Sequence, residues 1–209
     1  MQVRLFSVNT FGVNCYVVYD QGQAVIIDPG GPSQQVLDFL KDENLEVVGI
    51  INTHGHADHI AGNAFFVEKT GAPLFIHEAD VEYLTDPKLH LGPQIRFEVP
   101  ESKADRLLQD GVQIEVGDAS LTVMHTPGHT AGGISLVGPD FVISGDTLFK
   151  GSVGRWDFPT SDEQDLQRTL LRLSQLPPAT TVYPGHGPST TIAYERENNP
   201  FLTSIKDVE

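Results

Sequence analysis

The sequence predicts an α/β fold in which two β-sheets pack together and helices cover their outer faces. Three observations carry that expectation. Strand-length apolar runs and amphipathic helical runs occur in both halves of the chain, and no shift in composition marks a linker. Several of the strand-like runs end in a Gly-containing turn that bears a His or an Asp. At 209 residues, 39% of them apolar, with Gly and Pro scattered, the chain is long enough to bury a core without staples. A single domain over residues 1–209 is therefore expected.

The elements follow in order. "CYVVYD" and "AVIIDPGG" are apolar runs on either side of "QGQ" and read as a hairpin. "PSQQVLDFLKDENL" places Val36, Leu37, Leu40 and Leu45 at helical spacing, with Ser33 as the cap. "VVGIINT" is a short buried strand that runs into "HGHADH". A helix is expected to start near Asp58 and to continue until Gly71 stops it. "APLFIHEADVEYL" gives a strand and a short helix, and residues 86–105, rich in Pro and charge, give an irregular connection placed as a lid. "VQIEVGD", "ASLTVMHTP", "GGISLVGP" and "DFVISGDTLF" are successive strands. "SDEQDLQRTLLRLSQL" is amphipathic through Leu166, Leu170, Leu173 and Leu176, and "TTVYPGHG" closes the series as strand and loop.

Charge and cysteine usage narrow the function. A formal net charge of −15 opposes a nucleic-acid partner and an anionic membrane surface, both of which need clustered Lys and Arg. The one cysteine, Cys15, excludes an intrachain disulfide and a thiolate cluster. No run approaches ~20 apolar residues, and the N-terminus lacks a basic start followed by an apolar core, so a cytoplasmic location is expected.

The chemistry concentrates in "INTHGHADHI", which crowds His54, His56, Asp58 and His59 into six positions. Neutral imidazole and carboxylate are the ligands of borderline divalent metals. His54 and His56 suit one ion, and Asp58 and His59 can turn toward a second nearby. The missing ligands lie in other Gly-containing turns: His129 in "HTPGHT", Asp146 in "ISGDTLF" and His186 in "YPGHG". A solvated loop has no need of three imidazoles, and burying them unpaired is costly. His77, His90 and His125 stand alone and read as surface or core histidines.

These motifs, THGHADH, PGHT, GD and the final GH, together resemble the metallo-β-lactamase superfamily from "IIDPGG" to "PGHGP". The resemblance implies a four-layer αβ/βα sandwich of two mixed sheets with metals at one edge. It implies one site of His54, His56 and His129, a second of Asp58, His59 and His186, and Asp146 bridging both. Asp28 matches an aspartate that supports the site from behind, although a turn-forming Asp before Pro explains it equally well. Two divalent ions are implied, zinc first, with iron and manganese as alternatives. A metal-bridging hydroxide oriented by Asp58 would be the nucleophile.

Position 146 separates the members of that superfamily. True metallo-β-lactamases usually carry Cys there, whereas this set of His and Asp resembles the hydroxyacylglutathione hydrolases, the glyoxalase II group. The expected substrate is accordingly a small-molecule thioester such as S-D-lactoylglutathione. Residues 187–209 are too few for the C-terminal helical domain of typical glyoxalase II, so none is expected. The segment "GRWDFP" resembles that of the compact bacterial glyoxalase II-like hydrolases and makes Arg155 the candidate contact for a substrate anion. A loop salt bridge with Asp157 is the competing reading, and Trp156 and Phe158 either wall the pocket or belong to the core. The same G-R-x-D-F element occurs in persulfide dioxygenases, which use a single iron; that activity, or another metallo-hydrolase of the superfamily acting on lactones or esters, is the alternative.

Overall fold

A computed structural model describes residues 1–206, so the last three residues of the expected domain lie outside the described residues. The first sheet takes strands β1 (Gln2–Ser7), β2 (Asn14–Asp20), β3 (Gln23–Ile27), β4 (Glu46–Ile51), β5 (Leu74–His77) and β6 (Arg106–Leu108), in that spatial order. The β1–β2 and β2–β3 pairs are antiparallel, and β3–β4, β4–β5 and β5–β6 are parallel. Helices α1 (Gln34–Asp42), α2 (Ala57–Ile60), α3 (Asn63–Thr70) and α4 (Pro87–His90) lie along this half.

The second sheet takes β7 (Gln113–Val116), β8 (Ala119–His125), β9 (Ile134–Val137), β10 (Phe141–Gly145), β13 (Thr181–Pro184) and β14 (Thr190–Thr191). Its one parallel pair is β10–β13. The small hairpin of β11 (Leu148–Phe149) and β12 (Ser152–Val153) stands apart, and helices α5 (Glu163–Ser174), α6 (Ile192–Asn198) and α7 (Pro200–Lys206) complete the described residues.

Side-chain alternation with a period of two builds the layers. In β3, Val25 and Ile27 point inward to the core between the sheets, where they join Ile114, Leu121, Leu136 and Ile143 of the second sheet. Ala24 and Ile26 point outward and pack beneath Val36 and Leu40 of α1 and Phe66 of α3. In β10, Val142 points outward to Leu166, Leu170 and Leu173 of α5. The result is the four-layer αβ/βα sandwich of two mixed sheets.

Local chemistry accounts for most boundaries. Gln21 and Gly22 both take positive φ, 45° and 80°, and close the β2–β3 hairpin as a two-residue turn. The Ser33 side chain accepts from Val36 N–H to start α1, and that of Asp162 accepts from Asp165 N–H to start α5. The helix expected from Asp58 to Gly71 is two helices, α2 and α3. Gly62 N–H donates to Pro29 O at 2.6 Å, and a Cβ at Gly62 would lie 2.4 Å from that oxygen. The approach of the "DPGG" turn interrupts the helix there. The stretch "HEADVEYL" and its sequel also differ from expectation: Glu78–Leu84 is a 3₁₀ helix, and residues 86–105 contain α4 and a 3₁₀ turn at Pro93–Ile95. Leu91 and Arg96 end those two turns with left-handed φ.

Candidate metal centre

Five strand ends deliver the expected residues to one place. Asp28 follows β3, His54 follows β4, His129 follows β8, Asp146 follows β10 and His186 follows β13. His56 is the N-cap of α2, and Asp58 and His59 lie within it. The potential ligand atoms of His54, His56 and His129 lie within 4.8 Å of one another, and so do those of Asp58, His59 and His186. Asp146 stands between the two groups: its Oδ2 is 3.7 Å from His129 Nε2 and 3.6 Å from His186 Nε2, and its Oδ1 is 3.4 Å from His59 Nε2. Gly185 permits this approach, since a Cβ there would lie 2.2 Å from Asp146 Oδ1.

The surroundings set which nitrogen faces the centre. His59 Nδ1 donates to Asp28 Oδ2 at 2.9 Å, which leaves Nε2 directed at Asp146 and at His186 Nε2, 3.3 Å away. His129 Nδ1 donates to the Arg155 carbonyl at 2.7 Å and turns its Nε2 toward His56 Nδ1, 2.9 Å away. Carboxylates and carbonyls behind histidines fix tautomer and ring orientation in metal sites in this manner. Asp28, His54 and His59 also cluster within ligand distance. Asp28 is already committed, however: Oδ1 accepts from Thr53 N–H at 2.7 Å and Oδ2 from Thr53 Oγ1 at 2.6 Å. It stands behind the centre and ties β3 to the histidine loop.

The side chains fit divalent ions. His54 Nε2, His56 Nε2 and Asp146 Oδ1 are buried without a hydrogen-bond partner, a costly arrangement that coordination relieves. Burial, followed by the neighbouring imidazoles, holds His54 and His56 well below the usual histidine pKa, so both are neutral as ligands must be. Burial opposes charge at His59 too, but the carboxylates of Asp146, Asp28 and Asp58 overcome it and push that histidine up to about 10. Burial likewise disfavours the Asp58 carboxylate, yet His59 and His186 outweigh it and hold its pKa well below the usual range. Three carboxylates, Asp28 buried and Asp58 and Asp146 half-buried, thus demand cationic charge, which protons on histidine or bound metal ions supply.

Arg155 forks onto Asp157, Nε to Oδ1 at 2.8 Å and Nη2 to Oδ2 at 2.7 Å, with both side chains exposed. The loop salt bridge is therefore present. The guanidinium also lies 4.2 Å above the Phe158 ring, and that ring meets His56 at 5.2 Å and His129 at 5.8 Å. Phe158 walls the centre, whereas Trp156 packs edge-on to Phe201 in the outer core. The lone histidines make local bonds: His77 Nδ1 accepts from Ala79 N–H, His90 Nδ1 from Gly92 N–H, and His125 Nε2 bonds the Ala131 carbonyl.

Sequence reasoning missed Asp80, Tyr83 and Asn9. Asn9 Nδ2 donates to the Asp58 carbonyl at 2.8 Å and to that of Gly30 at 3.0 Å. Their partners are remote in the chain, so spacing carries no signal of them.

An αβ/βα sandwich with His and Asp converging at one edge defines a metallo-hydrolase scaffold. Residues 8–186 match the metallo-beta-lactamase superfamily, and the chain belongs to it. Among relatives, it is 34% identical to the Probable metallo-hydrolase YqgX of Bacillus subtilis, over 98% of this chain and 99% of that one. It is 30% identical to the hydroxyacylglutathione hydrolase GloC of Haemophilus influenzae, again over 98% and 99%. Among solved structures, the BLEG-1 B3 metallo-beta-lactamase superposes with a TM-score of 0.91 at 34% identity, covering 97% of this chain and 100% of that one. TTHA1623 in a di-iron-bound form superposes with a TM-score of 0.88 at 34% identity, covering 96% and 100%.

Proposed function

We propose that this protein is a dinuclear metal hydrolase that cleaves small-molecule thioesters, S-D-lactoylglutathione among them. The observation that carries the reading is the pair of ligand groups with Asp146 between them, containing buried ligand atoms that lack a hydrogen-bond partner. One ion would be held by His54, His56 and His129, the other by Asp58, His59 and His186, with Asp146 shared. Ions held there would lower the pKa of water so that hydroxide is available at neutral pH, and would stabilise negative charge on a carbonyl oxygen. A di-iron form of a structural relative supports two ions, and the likeness to GloC supports the thioester.

The chain's own groups then have defined work. Asp58 is ionised at neutral pH, accepts a hydrogen bond from the attacking water and aims it. Phe158 and Tyr83, whose rings flank His56, keep bulk water off that side. Arg155 at the rim is the group we assign to a substrate carboxylate, which has to compete with Asp157. No protein nucleophile is required. The thiol of Cys15 is fully buried, and burial pushes its pKa far up.

The fold has no helix among the described residues long and apolar enough to cross a membrane. We take the substrate to be soluble and the location to be the cytoplasm. One preparation assayed on S-D-lactoylglutathione, glutathione persulfide and a β-lactam tests the function. Thioester turnover above the other two supports the reading. Oxygen uptake on the persulfide, or β-lactam turnover without thioester turnover, replaces it.

A further inference from the structure

The 3₁₀ helix Glu78–Leu84 supplies none of the expected ligands, yet two of its side chains hold the loops that do. Residues three apart eclipse in a 3₁₀ helix, which puts Asp80 and Tyr83 on one face. Asp80 is fully buried, and among the described residues its carboxylate accepts only from the two loops of the three-histidine group. Oδ2 accepts from Gly55 N–H at 3.0 Å, between His54 and His56, and from Thr130 Oγ1 at 2.7 Å, next to His129. Oδ1 accepts from Gly132 N–H at 2.7 Å.

Tyr83 does a different task. Its hydroxyl donates to the Pro159 carbonyl at 3.0 Å and bonds Thr160 Oγ1 at 2.7 Å, and Thr160 Oγ1 accepts from Ala131 N–H. Tyr83 therefore ties down the segment that follows Phe158, while Asp80 ties the ligand loops to each other. The second group is braced from elsewhere, by Asp28 on His59 and by Asn9 on the Asp58 carbonyl.

We propose that Asp80 is a positioning residue that fixes the distance between the His54–His56 loop and the His129 loop, and thereby sets the affinity of the three-histidine site for its ion. His56 and His129 come from loops 73 residues apart in the chain, and Asp80 is a single carboxylate that bonds both loops. Asparagine in its place presents one acceptor oxygen where the carboxylate presents two. Whichever way the amide turns, Gly55 N–H or Gly132 N–H loses its partner. The loop so released carries its histidines out of register.

This inference rests on the two-ion reading, and the unaltered protein tests that reading first. Zinc-loaded protein transferring its metal to a chromogenic chelator should release about two equivalents in two phases. Release of a single equivalent would defeat the two-ion reading whatever Asp80 does. His56→Ala identifies the phase of the three-histidine site by abolishing it. Asp80→Asn should weaken zinc binding about 10–100-fold in that phase and leave the other unchanged. Tyr83→Phe should leave both phases unchanged. If Asp80→Asn does not fold, Thr130→Val removes one donor to the same carboxylate and should shift the same phase by less. Unchanged release in the folded variant, even with a lowered Tm, would overturn the proposal, as would equal weakening of both phases.

Discussion

Asp28 and His59 share a buried hydrogen bond of 2.9 Å, and through it the carboxylate decides which nitrogen of His59 faces the centre. Asp28→Asn keeps the shape and removes the charge that favours the Nδ1–H tautomer. The expected outcome is a 10–100-fold loss in kcat or in metal affinity at the Asp58–His59–His186 group, with KM little changed. Steady-state kinetics with metal analysis checks it.

Asp157 engages Arg155 through both carboxylate oxygens, so an anionic substrate meets a guanidinium already neutralised. Asp157→Asn should lower KM for a carboxylate-bearing thioester severalfold, and Arg155→Ala should raise it. Neither change should alter KM for an uncharged thioester. Equal effects on both substrates would reduce the pair to a surface ion bridge, of which little energy is expected.

His77 gives the fold an acid-sensitive point away from the ligands. It is 5% exposed, stacks on His125 with ring centroids 4.1 Å apart, and caps the 3₁₀ helix that carries Asp80. Burial, followed by His125, pushes its pKa down from 6.5 to about 4. Between those two values the unfolded chain binds a proton that the folded chain does not, so this contribution to stability is lost as pH falls through the window. His77→Asn keeps a capping acceptor and has no titration. Its Tm should gain on that of the unaltered protein as the pH is lowered from about 7 to about 4.5. Parallel Tm curves would exclude the linkage.

How much of this was legible beforehand depended on range. The candidate ligand residues, which the fold brings together, were readable because His54, His56, Asp58 and His59 are neighbours in sequence, and because His129, Asp146 and His186 sit in Gly turns after apolar runs. The two sheets were readable from period-two and helical patterns, as in β3 and α5. The break at Gly62 was not, because it comes from the approach of Pro29 across the fold. Nor was Asp80, an unremarkable acid in "HEADVEYL" until the fold brings Gly55, Thr130 and Gly132 to it. The Arg155–Asp157 fork was one of two readings of the same residues, and only side-chain geometry reveals it. The short elements α6, α7, β11, β12 and β14 carry too few residues to show a period.

The central claim is that two ions, held by groups that share Asp146, make the hydrolytic centre. Titrating metal-free protein with zinc while following thioester hydrolysis tests it most directly. Activity is expected to be absent without metal and to reach its plateau at about two equivalents. A plateau at one equivalent, or turnover by the metal-free protein, would contradict the account.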